Sequence, residues 1–386
     1  MSARRRALVD YVVEQSLALA TGSAIALVLA NSASAVTYYR LAARLDFIVN
    51  DVGMAFFFAL AAKEIVEATS PGGALHTWRR AALPAIAAAG GVIAPALIFA
   101  AYVNHETQVV LMGGWPVSCA TDVAFTYLVA KLIYRDDHPA VSFLLLIAIT
   151  DDAVVLVLLA VFYPVGELQL LAGSLAMASA IIVAFGLRRA YVTAFWPYVF
   201  VGGTLSWIAL FYGGLSPVLA LVPIMPFLPR APRDAGLFVD TPDARDTLSR
   251  FERAFKYPVH AVLFLFGFVN AGVRIGAIGA GTWAVLIAIL AGKPLGIAVS
   301  VAVSIAAGLR LPPDLRWNDV IVVGFAAGIG FTVALFFAVA AFPPGPILEQ
   351  LKLGALASVG SGALALGAAM VLRVGRFRAS GSPGRP

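Results

Sequence analysis

The segment FLLLIAITDDAVVLVLLAVFY, residues 143–163, places two adjacent carboxylates in the middle of a long apolar run. A helix needs about 20 apolar residues to cross a hydrocarbon layer of roughly 30 Å. The strands of a membrane β-barrel are shorter and alternate polar with apolar residues, and this run does not alternate. The segment therefore predicts a membrane-spanning helix with Asp151 and Asp152 near the middle of the bilayer.

The composition of the whole chain is also typical of a membrane protein. Of its 386 residues, 61% are hydrophobic and 12% are charged, whereas soluble domains carry roughly 25% charged residues. These fractions exclude a soluble enzyme, a disordered chain and a fibrous protein. The single cysteine, Cys119, excludes a disulfide framework and a cysteine-based zinc site.

Apolar segments recur along the chain and predict an all-α integral membrane protein with about twelve spans. We place these spans at about 11–32, 47–66, 82–103, 114–133, 140–162, 168–187, 192–211, 214–229, 258–273, 281–307, 319–342 and 350–373. They form a single transmembrane domain over residues 1–379, with helices over 11–229 and 258–373. The linker 230–257 is rich in Pro, Asp and Arg, and the tail 380–386 is predicted to be disordered.

The basic residues predict which way the chain faces. With the N-terminus in the cytoplasm, most of the 27 Lys and Arg residues fall in cytoplasmic loops, as the positive-inside rule requires. An even number of spans places the linker 230–257 and the basic C-terminus on the same side. The net charge of +6 therefore reflects orientation and does not indicate binding to nucleic acid.

Four charged residues lie deep inside predicted spans, far from either end, namely Asp122, Asp151, Asp152 and Lys293. Each charge costs about 2.5–3.5 kcal/mol at the centre of a membrane helix, so these groups must be paired, protonated or hydrated. Successive helical positions point about 100° apart, so one carboxylate of the Asp pair can face a cavity while the other meets a partner. Such a carboxylate can hold a proton or a cation in turn. The alternative is a purely architectural polar contact between helices.

Glycine and proline near these charges predict two interrupted helices, the fourth and the eleventh. Pro116 precedes the run Ser118–Asp122, and Gly324, Gly328 and Gly330 precede Thr332. Interrupted helices whose freed carbonyls and amides line an ion site are general to inverted-repeat transporters.

The blocks around these residues resemble the NhaA family of sodium/proton antiporters, in the same order and at similar spacing. The likeness covers residues from about 15 to 373. The blocks that carry it are GGWPVSCATDVAFTYLVAKL (113–132), FLLLIAITDDAVVLVLLAVFY (143–163), AGKPLGI (291–297) and AAGIGFTVALFFAVAAF (326–342).

The resemblance implies an inverted-repeat antiporter of the bacterial cytoplasmic membrane, with both termini cytoplasmic, that is no enzyme and has no cofactor. It would exchange Na⁺ or Li⁺ for protons by alternating access. Two other functions stay open, namely cation-coupled symport of a small anion and a non-transporting accessory subunit that kept the fold.

The resemblance also implies roles for individual residues. Asp152 would be the main Na⁺ ligand and the proton carrier, next to Asp151, which would share the Na⁺ site and pair with Lys293. Thr121 and Asp122 would lie where the fourth helix unwinds, with Asp122 offsetting the half-helix dipoles. Residues Gly328, Gly330 and Thr332 would form the break in the eleventh helix.

The chain departs from the family pattern in three places. The GLEVKRE-like run associated with pH sensing reads AAKEIVE over 61–67, so Lys63 falls where Glu is expected and the pH-sensing candidates are Glu64, Glu67 and Glu252. The histidine-containing stretch of the eighth helix reads GLSPV at 214–218. Residues 33–49 are too few for the hairpin through which family members dimerise, which leaves both a monomer and a homodimer open.

Overall fold

The computed structural model describes residues 3–135, 138–230 and 246–378, with side chains from residue 17 onward except those of Arg79 and Leu170. All regular secondary structure in these ranges is helical. The α-helices are α1 (Ala3–Ala30), α2 (Ala35–Asp46), α3 (Met54–Thr69), α4 (Trp78–His105), α5 (Val123–Ile133), α6 (Pro139–Phe162), α7 (Leu170–Arg189), α8 (Gly203–Gly213), α9 (Thr247–Asn270), α10 (Ala280–Ile287), α11 (Lys293–Ala306), α12 (Trp317–Ala327), α13 (Phe331–Ala341), α14 (Pro346–Ala357) and α15 (Gly360–Val371).

Several helical segments of the described chain are long and apolar enough to cross a membrane. There are six of them: Ala35–Thr69, Arg80–His105, Pro139–Phe162, Leu171–Arg189, Ala280–Ala306 and Pro346–Phe377. Two bent pairs raise the number to eight if each is counted as one span. The all-α membrane fold is therefore confirmed, whereas the number twelve stays a prediction.

The two bent pairs are the interrupted helices that the sequence predicts. In the first pair, the 3₁₀-helix Val109–Ser118 and α5 meet at 53°. In the second pair, α12 and α13 meet at 45°. One pair lies in each half of the chain, as the inverted-repeat prediction requires.

The predicted eighth helix, residues 214–229, is not a regular helix. Gly214 adopts a left-handed backbone conformation with φ of 75° and ends α8, and short 3₁₀-helices follow at Pro217–Leu219 and Met225–Phe227. The segment contains four prolines, at positions 217, 223, 226 and 229. Because proline has no N–H donor and clashes with the preceding turn, this spacing prevents a continuous helix.

The linker predicted at 230–257 is wrong at its C-terminal end. Helix α9 begins at Thr247, where the Asp246 carboxylate accepts a hydrogen bond of 2.8 Å from the Ser249 amide and caps the helix. Residues 231–245 and the predicted tail 380–386 lie outside the described residues.

Residues 33–49, predicted to be a linker, are mostly helical. Helix α2 continues through the π-helical segment Phe47–Gly53 into α3. Tyr38 and Ala42 are its buried side chains, and their spacing of four places them on one face of the helix.

Helices α4 and α11 approach each other so closely that only glycine fits between them. A Cβ on Gly296 would lie 2.7 Å from the Ala94 Cβ and still closer to the Gly90 carbonyl oxygen. A Cβ on Gly292 would lie 2.7 Å from the Pro95 Cα. Because Gly292 directly precedes Lys293, this contact sets the depth at which the lysine lies.

We expect Gly296→Ala to destabilise the protein, because the added methyl group collides with the backbone of α4. Overpacking of this kind lowers the free energy of unfolding by about 1–3 kcal/mol, which thermal unfolding in detergent measures. Gly367→Ala is the matched control, since a Cβ there meets no atom within 4 Å. Equal midpoints for both variants would contradict the close contact.

Candidate ion-binding site

The two helix breaks lie directly against each other. The first is the non-helical stretch 119–122 before α5, and the second is 328–330 between α12 and α13. The Asp122 amide donates a hydrogen bond of 2.6 Å to the Ile329 carbonyl. A Cβ on Gly330 would lie 2.8 Å from the Ala120 carbonyl oxygen, so the crossing requires glycine at this position.

The Asp122 carboxylate caps the amide ends of two half-helices. Its Oδ1 accepts a hydrogen bond of 3.2 Å from the Phe125 amide at the start of α5. Its Oδ2 accepts a bond of 3.1 Å from the Thr332 amide at the start of α13, and the Thr332 hydroxyl donates to the same oxygen. The amide end of a helix carries about half a positive charge, so one carboxylate offsets two such ends.

Two threonines from the first break satisfy carbonyls at the end of α12. The Thr121 hydroxyl donates to the Ala327 carbonyl at 3.0 Å, and the Thr126 hydroxyl donates to the Ala326 carbonyl at 3.2 Å. These carbonyls lie at the helix end and lack the usual helical partner. The sequence reasoning missed Thr126, which lies in an ordinary apolar helix.

Two serines of the last span bond one carbonyl and one amide at the second break. The Ser361 hydroxyl donates to the Phe325 carbonyl at 2.6 Å, and the Ser358 hydroxyl accepts a bond of 3.2 Å from the Gly330 amide. Both serines are fully buried. The sequence reasoning missed them too, and their spacing of three, which places them on one face of a helix, is the only signal that could have found them.

Lys293 and Asp151 form a buried ion pair beside the breaks. The Lys293 Nζ lies 2.9 Å from the Asp151 Oδ2, and each residue is 1% exposed. The same ammonium donates to the Thr121 hydroxyl, which links the ion pair to the first break. The Asp151 Oδ1 is buried without a hydrogen-bond partner.

The Asp152 carboxylate is the one acidic group at the site that carries neither a cap nor an ion pair. Its side chain is partly exposed, and within the described part of the chain it has no hydrogen-bond or ion-pair partner. Its charged neighbours are Glu64, Asp151, Asp122 and Lys293. The oxygens free to bind a cation are therefore those of Asp152 and the Oδ1 of Asp151.

A cation at this site would need further ligands besides the two aspartates. The described residues contain no group of three or more His, Cys, Asp and Glu placed to hold a metal ion. Carboxylate, carbonyl and hydroxyl oxygens and water suit hard cations, and both breaks supply such groups.

Of the residues predicted to sense pH, Glu64 and Glu67 lie on α3 and Glu252 lies on α9. The Lys63 Nζ lies 2.9 Å from Glu67 and 2.6 Å from Glu252, which joins α3 to α9. Lys63 is 6% exposed. Glu64 is partly exposed, and it lies on α3, which packs against α6, the helix that carries Asp152.

Comparison with known proteins gives the family. A family model described as Na⁺/H⁺ antiporter 1 matches residues 8–372. The chain belongs to this family. The Na⁺/H⁺ antiporter NhaA of Geobacter metallireducens is 44% identical over 336 residues, which cover 86% of this chain and 88% of that protein. The Na⁺/H⁺ antiporter NhaA of Desulfitobacterium hafniense (strain DCB-2) is 39% identical over 391 residues, covering 98% and 99% of the two chains.

A solved structure supports the fold. The sodium proton antiporter MjNhaP1 from Methanocaldococcus jannaschii superposes with a TM-score of 0.55 at 15% identity, over 93% of this chain and 98% of that one. At this identity the likeness concerns the fold alone. The family model confirms the predicted family, and with the apolar helices it confirms a multi-pass membrane protein.

We expect Lys293→Met to destabilise the protein more than the double variant Lys293→Met with Asp151→Asn. The single change leaves a buried carboxylate without its cation, a loss of about 3–5 kcal/mol, whereas the double change removes both charges. Thermal unfolding of the purified variants measures the difference. Arg274→Met is the control, because Arg274 pairs with Glu349 at an exposed position and should matter little. A double variant no more stable than Lys293→Met would contradict the pairing.

Proposed function

We propose that this chain is a secondary active antiporter that exchanges Na⁺ for protons across the bacterial cytoplasmic membrane. The observation that carries the proposal is the free Asp152 carboxylate, which lies beside the Asp151–Lys293 ion pair where the two helix breaks cross. The relatives at 44% and 39% identity are both Na⁺/H⁺ antiporters by name. A transporter of this kind catalyses no chemical reaction on its cargo.

In this mechanism, one site binds either a proton or a cation. A proton bound to Asp152 removes the negative charge that attracts Na⁺, and a bound Na⁺ repels the proton, so the two ions compete. The second ligand is Asp151, whose Oδ1 is unpartnered while its Oδ2 faces Lys293. An arriving Na⁺ therefore competes with the Lys293 ammonium for Asp151, and a departing Na⁺ lets the ion pair form again. Li⁺ carries the same charge and is a second candidate cargo.

The helix breaks let the site open to either side of the membrane. The residues Thr121, Asp122 and Thr332 hold the crossing together through hydrogen bonds between the two breaks. Gly328 and Gly330 contribute by leaving room for close approach, to Ser361 and to the Ala120 carbonyl respectively. We infer that the core consists of α4–α6 and α10–α15 and moves within one transport domain over residues 1–379. The glycine contact between α4 and α11 supports this grouping. The bias of basic residues supports a cytoplasmic location for both termini.

Inside-out membrane vesicles test the proposal directly. In vesicles acidified by respiration, added NaCl is expected to make the lumen less acidic, and Asp152→Asn is expected to abolish this response because it cannot alternate between a proton and a cation. A pH-sensitive dye in the lumen reports the change, and LiCl and KCl test selectivity. Glu106→Gln, which changes a loop carboxylate with an exposed side chain, is the control.

Two results would reject the proposal. One is a wild-type protein that responds to no monovalent cation, and the other is full activity in Asp152→Asn. Uptake of a labelled anion that depends on Na⁺ and leaves the pH unchanged would favour symport instead.

We further propose that the cluster of Lys63, Glu67 and Glu252 sets the pH range of exchange. The cluster joins α3 to α9, and α3, which carries Glu64 next to Lys63, packs against α6, the helix of Asp152. We therefore expect a change of charge in the cluster to affect the ion site through α3.

We expect Lys63→Met to move half-maximal exchange to higher pH. Without the ammonium, Glu67 and Glu252 face each other as like charges, so protons bind to them more readily. The vesicle assay at several pH values measures the shift. Arg310→Met, which removes an exposed cation, is the control, and an identical profile for both variants would contradict the proposal.

A further inference from the structure

The last span is itself interrupted at the level of the crossing. Helix α14 ends at Ala357 and α15 begins at Gly360. Between them, the Ser361 amide donates to the Ser358 carbonyl at 2.9 Å, and the Gly362 amide donates to the Val359 carbonyl at 3.0 Å. These bonds join residues three apart, which is the tighter turn of a 3₁₀-helix. The local tightening places Ser358 against the break between α12 and α13.

The Ser358 hydroxyl makes two hydrogen bonds, as the donor in one and the acceptor in the other. It donates to the Ala355 carbonyl at 2.6 Å and accepts from the Gly330 amide at 3.2 Å. Since its single proton goes to Ala355, the oxygen lone pairs point toward Gly330. Ser358 is fully buried, so water does not replace it.

The Gly330 amide relies on Ser358 for a hydrogen-bond partner, whereas the Phe325 carbonyl has a second partner besides Ser361. Ser358 is the acceptor of the Gly330 amide within the described chain. The Phe325 carbonyl, by contrast, accepts from the Gly328 amide at 3.1 Å as well as from the Ser361 hydroxyl. Loss of the Ser358 hydroxyl therefore leaves a buried amide unsatisfied, whereas loss of the Ser361 hydroxyl leaves the carbonyl with a partner.

Gly330 connects Ser358 to the ion site through α13. Gly330 directly precedes α13. Thr332, in the first turn of that helix, donates to the Asp122 carboxylate. An unpaired amide at a helix start is a partial positive charge, and it would lie beside a site that binds a cation.

We propose that Ser358 is a positioning residue for cation binding: by accepting the Gly330 amide it fixes the start of α13 and offsets its positive end. The inference rests on the proposed sodium/proton exchange. It gives the last span a role in the affinity of the site for Na⁺, through the start of α13.

The test separates the affinity for Na⁺ from the maximal rate in the vesicle assay. Ser358→Ala is expected to raise the KM for Na⁺ about tenfold, or about 1.4 kcal/mol, with a smaller effect on the maximal rate. The reason is that the start of α13 is no longer fixed and the partial positive charge of the Gly330 amide is no longer offset. Ser358→Thr keeps the hydroxyl and is expected to restore a KM near that of the wild type. Ser361→Ala is expected to shift the KM less than Ser358→Ala.

Ser304→Ala controls for the loss of any buried hydroxyl. Ser304 is 2% exposed and donates at 2.7 Å to the Ser300 carbonyl of its own helix, so its KM should match the wild type. If Ser358→Ala does not fold, Ser358→Cys fills similar space with a weaker acceptor and provides the same test.

The outcomes distinguish this inference from the proposed function. A wild-type protein without cation-dependent proton movement overturns the proposed function, and with it the basis for the role of Ser358. An active wild type whose KM for Na⁺ is unchanged in Ser358→Ala, or changed equally in Ser304→Ala, overturns the role of Ser358 alone.

Discussion

Two helices interrupted inside an apolar bundle expose amides and carbonyls that lipid cannot satisfy, so the protein itself must supply a partner for each. The Asp122 carboxylate is the central partner, since it accepts from the amide ends of α5 and α13 at once. Thr121 and Thr126 donate to carbonyls at the end of α12. Because each break satisfies the other, neither can form without its neighbour, and the crossing point is fixed.

The different roles of the acidic residues follow from the need to satisfy the amides and carbonyls of the two breaks. Asp122 is occupied by amides and a hydroxyl, and Asp151 by Lys293. Asp152 carries neither kind of partner within the described chain. In the proposed exchange, one free carboxylate and one held by a lysine support competition between a single cation and protons. This arrangement also keeps the unpaired charge small in a medium where each charge is expensive.

The sequence predicts those parts of the molecule in which a single residue type is unfavourable in its surroundings, such as a charge in an apolar span or a proline within a helix. Charges in apolar spans identify Asp151, Asp152 and Lys293, and glycine and proline near charges identify the breaks. Ser358 could not be found in this way, because buried hydroxyls such as that of Ser304 commonly bond within their own helix. Hydropathy misplaced the eighth helix and the start of α9 for a related reason. It registers apolar surface but neither the missing proline donors at 214–229 nor the charged first turns of an amphipathic helix.

Two buried lysines hold acidic residues in ion pairs, one at the ion site and one at the end of α3. Helix α3 connects the two groups. Lys293 holds Asp151 at the site, while Lys63 holds Glu67 and Glu252 at the end of α3. Since Glu64 follows Lys63 directly and α3 packs against α6, the helix that carries Asp152, a displacement of Lys63 toward α9 also moves the Glu64 carboxyl group relative to the site. In the proposed pH response, the connection between this end of α3 and the ion site depends on an ion pair between two helices, formed by Lys63 with Glu252.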